Sequence, residues 1–204
     1  MQLNLRYYKP EVLITIISLL WGVFLWVFHK LWGYGLLLGT GPSAIVVGFL
    51  TIYDRWLWKF PVFNWMNTIP DLNGIYTGVI EYHYNGQKSS KQCTLEVKQT
   101  CSIIKVKSSF NKDSENETQS VSTEAFIKTD EAGDQYVYFY YHNQGSCQNG
   151  DSLDSHDGMN VLEILKDKKN IELKGYYFTN RKSQTKGCMK VTKRLLKEEI
   201  NGYE

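Results

Sequence analysis

Neither sign of charge prevails in this sequence: 23 Lys and Arg stand against 21 Asp and Glu, a net charge of +2. So even a balance excludes the global basic field that holds duplex DNA or RNA, and any anion must be held by local groups. Cysteine is scarce, and Cys93, Cys101, Cys147 and Cys188 form no C-x-x-C pair and have no His-x-x-x-His beside them. That spacing matches no zinc template. Four thiols permit disulfides in an oxidising compartment, but Cys93, Cys101 and Cys188 lie in or beside apolar strand-like runs. Reduced, buried, structural cysteines of a cytosolic domain are therefore expected. Nucleophile elbow, phosphate-binding glycine loop, HExxH, kinase and deaminase signatures are all missing. The reading is a protein that is not an enzyme and calls for no metal or cofactor.

What is present divides the chain in two. Residues 12–28 read VLITIISLLWGVFLWVF and residues 33–53 read GYGLLLGTGPSAIVVGFLTIY, both without a charge. Each can span about 30 Å of hydrocarbon at about 1.5 Å per residue, with a kink expected at Gly39-Thr40-Gly41-Pro42-Ser43. His29, Lys30, Trp32 and Tyr34 form a short polar and aromatic turn, so residues 1–60 are expected to be a two-helix transmembrane hairpin. A cleavable signal peptide fits less well, because the first apolar run is too long and no A-x-A site comes after it. Arg6, Lys9, Arg55 and Lys59 outside the spans against Lys30 in the turn place both ends in the cytoplasm. Trp56, Trp58, Phe60, Phe63 and Trp65 read as an interfacial belt that runs into an aromatic linker over residues 61–70.

From Asp71 onward, about 130 residues remain, enough for one compact domain. Their apolar period is two. Cys93, Leu95 and Val97 alternate with Thr94, Glu96 and Lys98, and Ile104, Val106 and Phe110 with Lys105, Lys107 and Ser109. Ile171, Leu173 and Tyr177 alternate with Glu172, Lys174 and Tyr176, and further strands are expected near 72–84, 117–127, 135–143, 158–165 and 187–194. Turn signals stand at Asn85-Gly86, Gly133-Asp134 and Lys169-Asn170. Such a meander suits a sandwich or a small eight-stranded antiparallel β-barrel over residues 71–204. The barrel is expected because closure removes exposed edges. Its mouth is the natural place for function, and the polar stretch from Gln144 to Asp157 is placed to cover it as a lid or a mobile loop.

Two strand faces pass from apolar to polar along the chain. The set Ile171, Leu173, Gly175, Tyr177 continues by twos to Thr179 and Arg181, and Val137 and Phe139 lead to Tyr141 and Asn143. In a barrel, such a gradient marks where the core gives way to an open end. Aromatic rings there can stack on nucleobases and Arg181 can fork onto a phosphate, although spacing alone equally lets Arg181 emerge into solvent at a strand end. His156 and Asp157 do not read as an acid/base pair, since neighbouring side chains point apart and no Ser or Cys partner is implied.

The order of motifs carries a resemblance. Pro70, Gly74-Ile75-Tyr76-Thr77-Gly78, the CTLEVKQT run from Cys93, Ser120 and Ser122, VYFYYHN from Val137, His156-Asp157-Gly158 and YYFTNRK from Tyr176 come after two apolar spans. In that order the chain resembles the SMODS-associating two-transmembrane, β-strand-rich effectors of CBASS anti-phage defence. It departs from them in having Tyr76 where Trp is frequent and Gln144 where Pro is common. The resemblance implies an inner-membrane protein whose barrel binds a cyclic di- or oligonucleotide made by a partner CD-NTase. Binding would then drive homo-oligomerisation and disruption of the bilayer. The pocket residues expected on that basis are Tyr76, Tyr141, Asn143, Thr179 and Arg181, with Ser120, Ser122 and His156 in secondary places. The alternatives are a membrane-tethered carrier of an apolar ligand, which eight-stranded barrels commonly enclose, and a structural membrane scaffold.

Overall fold

The computed structural model describes residues 4–32, 41–84, 87–112, 118–143, 156–167, 170–181 and 184–194. Of the expected turn, His29, Lys30 and Trp32 instead continue the first helix, while Tyr34, the start of the second span, Asn85-Gly86, Cys147, Lys169 and most of the 144–157 stretch lie outside the described residues. The chain folds as two units, one helical and one of β-strands, and the short turn Thr100–Ile103 belongs to the helical unit.

In the helical unit, α1 (Pro10–Trp32) opens on a proline, whose missing N–H costs nothing in a first turn. Its Pro10–Val27 stretch is long and apolar enough to cross a membrane, and Ile14, Leu19 and Trp26 present their side chains outward. The second helix, α2 (Gly41–Arg55), is described for 15 residues. The aromatic belt and the start of the 61–70 stretch are folded: two 3-10 turns, Leu57–Lys59 and Pro61–Met66, bring Trp58 and Met66 into a core with Tyr8, Leu13, Leu50, Tyr53 and Cys101. Trp56, Phe60 and Trp65 stay exposed, so the aromatic belt is split between core and surface. Hydrogen bonds tie this unit together, as buried polar groups are mostly paired. Asn67 Nδ2 donates to the Tyr53 hydroxyl at 3.1 Å, and the backbone N–H of Ser102 donates to Asp54 Oδ1 at 2.7 Å.

Eight antiparallel strands form a closed barrel in chain order: β1 (Gly74–Tyr84), β2 (Gln87–Gln99), β3 (Ile104–Phe110), β4 (Thr118–Thr129), β5 (Gln135–Asn143), β6 (His156–Asp167), β7 (Asn170–Thr179) and β8 (Lys186–Lys193). Each strand alternates between core and solvent as its sequence does: Cys93, Leu95 and Val97 are buried, as are Ile104 and Val106, Val137 and Phe139, and Leu173 and Tyr177. The outcome for Cys188 differs from expectation. Inward positions on β8 are Met189 and Val191, so Cys188 faces out and is an exposed free thiol, whereas Cys93 and Cys101 are buried and free. Burial pushes the Cys93 thiol up to about 12.

On β4 the inward positions change parity, from Ser120 and Ser122 to Ala125 and Ile127, because a bulge between Ser122 and Glu124 inserts one residue. The strands tilt, as closure requires. One row of paired residues therefore runs Tyr76, Leu95, Ser108, Ser120, Asn143, His156. It starts where the chain enters the barrel and climbs to the opposite rim.

Candidate functional site

At that rim the barrel is hollow. A cavity of about 310 Å³, at the small end of the range usual for ligand sites, is lined from all eight strands or the residues just beyond them. Five of the expected residues meet there: Tyr141 and Asn143 from β5, His156 from β6, Thr179 from β7 and Arg181 just past its end. Three do not. Tyr76 is fully buried toward the other end, where its hydroxyl donates to the Leu72 carbonyl at 3.0 Å. Ser122 lies below the cavity and its Oγ accepts from the Val106 N–H at 2.9 Å. Ser120 is buried beside Asn143 in the row but does not line the cavity.

Local sequence explains how the rim is built. His156 and Asp157 begin β6 rather than belonging to a loop, so they face opposite ways. His156 turns inward, and Asp157 turns outward to His142 Nδ1 at 2.9 Å. Hydrogen bonds from His142 and from Tyr140 hold the Asp157 carboxyl below the usual carboxylate range. Asn180 then staples β7 to β6: its N–H donates to the Asp157 carbonyl at 3.0 Å, and its Oδ1 accepts from the Asp157 N–H at 2.9 Å. Thr179 Oγ1 accepts from the Thr185 N–H at 3.2 Å, closing the β7–β8 connection. The chain leaving β7 is thereby turned so that Arg181 enters the cavity instead of solvent. Arg181 Nη2 stands 3.1 Å from Nδ1 and 3.2 Å from Nε2 of His156, an approach too even to follow one lone pair, so the guanidinium lies against the ring.

Glycines make room for the aromatic walls. A Cβ on Gly158 would fall 2.3 Å from the Tyr141 hydroxyl, and one on Gly187 would fall 2.5 Å from the Tyr177 ring. Each tyrosine thus leans on a bare backbone, and Tyr141 meets His156 edge-on at 6.4 Å between centroids. Burial pushes the Tyr141 phenol up to about 12, so it is a neutral donor at ordinary pH.

Several lining residues lie outside the expected set. Lys91 is the inward alternation Cys93, Leu95, Val97 carried one step back, and its ammonium lies 5.6 Å from the Tyr82 ring centroid. Tyr82, Phe110, Thr118, Asn160, Tyr177 and Thr185 complete much of the wall. A signal for Lys91 and Asn160 is present in the sequence, since both share the parity of inward residues on their strands. The apolar-to-polar gradient, by contrast, is plain only on β5 and β7.

The electrostatics are one-sided. Among the described residues lining the cavity there are two permanent cations, Lys91 and Arg181, and no carboxylate. Asn160 Oδ1, Arg181 Nε and Thr185 Oγ1 are buried there without a partner among the described residues, and Ser120 Oγ is in the same condition nearby. A buried polar atom left unpaired costs about 1–3 kcal/mol, and such atoms gathered around one hollow mark a surface built to meet something polar. The arrangement can hold an anion at its cations and flat rings against its tyrosines. Among the described residues, nothing in it pairs a nucleophile with a base.

Residues 67–193, which take in all eight strands and the cavity, match the family described as Cap15, cyclic dinucleotide receptor domain. The chain is also similar to CD-NTase-associated protein 15 of Staphylococcus schleiferi, 31% identical over 65 residues, which cover 31% of this chain. That match spans 35% of the relative's length, about a third of it. With more than half of its residues inside the family match, the chain belongs to the Cap15 cyclic dinucleotide receptor domain family.

Proposed function

We propose that this protein is a membrane-anchored CBASS effector whose barrel receives a cyclic dinucleotide, and that it works as a receptor rather than an enzyme. The observation that carries the reading is the acid-free cavity with Lys91, Arg181 and three tyrosines on its wall. A cyclic dinucleotide presents two phosphodiester charges and two flat bases, which is the chemistry these side chains complement. An apolar cargo would instead leave a guanidinium and an ammonium facing hydrocarbon without a counter-charge.

Anchoring is supported by α1, whose Ile14, Leu19 and Trp26 expose apolar surface that water tolerates poorly. In this reading the second span and the cytoplasmic placement of both ends follow the charge pattern of the sequence. The ligand comes from a partner CD-NTase. Occupancy favours an assembled form of the anchored chains, because a ligand shifts an equilibrium only toward the state it binds more tightly. That assembly disrupts the inner membrane of the infected cell.

The test uses the full chain extracted in detergent. A panel of cyclic dinucleotides should raise its melting temperature in a concentration-dependent way, and Arg181→Ala should move that response to higher ligand concentration. Charge-assisted hydrogen bonds of this kind contribute about 1.5–3 kcal/mol, a loss of roughly tenfold to a hundredfold in affinity. Absence of any shift with every cyclic di- and trinucleotide would sink the proposal.

A further inference from the structure

Resting on that reading of the cavity, we propose that Asn160 determines which base the receptor accepts, and that the ligand enters base first with its phosphates left near the rim. Along β6 the inward side chains run His156 at the strand's start, Gly158, Asn160 and then Leu162, which is fully buried. Asn160 pairs with Phe139 on β5 and Tyr177 on β7, and is 3% exposed. It is the last polar group on that strand before the apolar core.

Its amide makes no hydrogen bond to any described residue, and Oδ1 is buried outright. That state is costly unless a ligand pairs it, and the pairing restricts which part of the ligand reaches it. A phosphodiester offers only acceptors and leaves the carbonyl oxygen unmet. A nucleobase edge offers an N–H beside an acceptor, the complement of a side-chain amide whichever way the amide is turned. The cations agree with this orientation. Arg181 lies beyond the end of β7 against His156, the rimmost inward residue of β6, and Lys91 stands near the start of β2. Phosphates held by them leave a base to pass between Tyr141 and Tyr177 toward Asn160.

Binding of cyclic di-AMP, cyclic di-GMP and cyclic di-UMP to the full chain in detergent separates the outcomes. The wild type should rank the three unequally. Asn160→Leu should lose about tenfold or more for the preferred ligand and bring the three together, since a site made to hydrogen-bond a base is then left without its partner. Its unliganded melting temperature should equal or exceed that of the wild type, because an unpaired buried amide is gone. Should the leucine variant fail to fold, Asn160→Ala carries the same expectation for the ranking. Arg181→Ala should weaken all three alike and keep their order. Wild-type ranking and affinity retained within about twofold in the Asn160 variants would overturn the proposal, as would equal wild-type affinity for all three. A wild type that binds none of them would overturn the receptor reading itself.

Discussion

The two ends of the barrel are made from the same eight strands, yet one end is a core and the other a site. Toward the end where the chain enters, Leu95 and Val106 are almost wholly buried and the Tyr76 hydroxyl has its acceptor in Leu72. Toward the rim, Asn160, Arg181 and Thr185 each keep a buried polar atom with no protein partner among the described residues. The contrast teaches that inward direction alone does not make a residue part of the core. Depth along the tilted strand decides whether a neighbour is there to meet it.

The sharpest way to break this comparison is to damage the packed end alone. Leu95→Ala should cost about 3 kcal/mol of stability, in line with large-to-small core replacements, while the folded fraction keeps its affinity for cyclic dinucleotide. Chemical denaturation and calorimetry report the two quantities separately. A loss of affinity as large as that of Arg181→Ala would show that the ends are not independent.

A somewhat smaller effect belongs to the rim at alkaline pH. The Tyr141 phenol is raised to about 12 by burial, so the fold disfavours its ionised form. Its contribution is complete below the ordinary tyrosine value of about 10 and is lost as pH rises through the folded value. Between those limits, wild-type stability should fall by about 2 kcal/mol more than that of Tyr141→Phe, because each tenfold change in an ionisation equilibrium is about 1.4 kcal/mol. Equal slopes for the two proteins in denaturation series across that range would contradict a buried neutral phenol.

The mildest test is the matching change at the other end. Tyr76→Phe should cost about 1 kcal/mol by leaving the Leu72 carbonyl unmet, with no change in ligand affinity, because Tyr76 does not line the cavity. A loss of affinity there would draw the packed end into the site.

Legibility in the sequence followed the same division. Alternation identified the strands, and the polar continuations Thr179-x-Arg181 and Tyr141-x-Asn143 marked where the core opens. Tyr76 was drawn into the candidate site by its motif, and it does share a row of paired residues with Asn143 and His156. The tilt of the strands separates them along the barrel, and tilt leaves no trace in local pattern. Ser122 has a similar history: its hydroxyl serves the Val106 N–H beside a bulge that a one-dimensional period cannot register. Lys91 and Asn160 had the right parity, but a charged or amide side chain on an inward position reads as an exception to the core until the hollow it faces is seen.

By itself the sequence determined the apolar N-terminal helix, the all-β character of the domain behind it, the number of strands and, away from the β4 bulge and Cys188, which residues face in, because these depend on periods that neighbouring residues set between them. Only the tertiary structure decided that the sheet closes, that Asn180 turns Arg181 back over the cavity, and that Lys91, Asn160 and Tyr177 meet residues far from them in the chain. Those outcomes follow from strand tilt and register around a closed ring, where a shift along one strand is felt on every other.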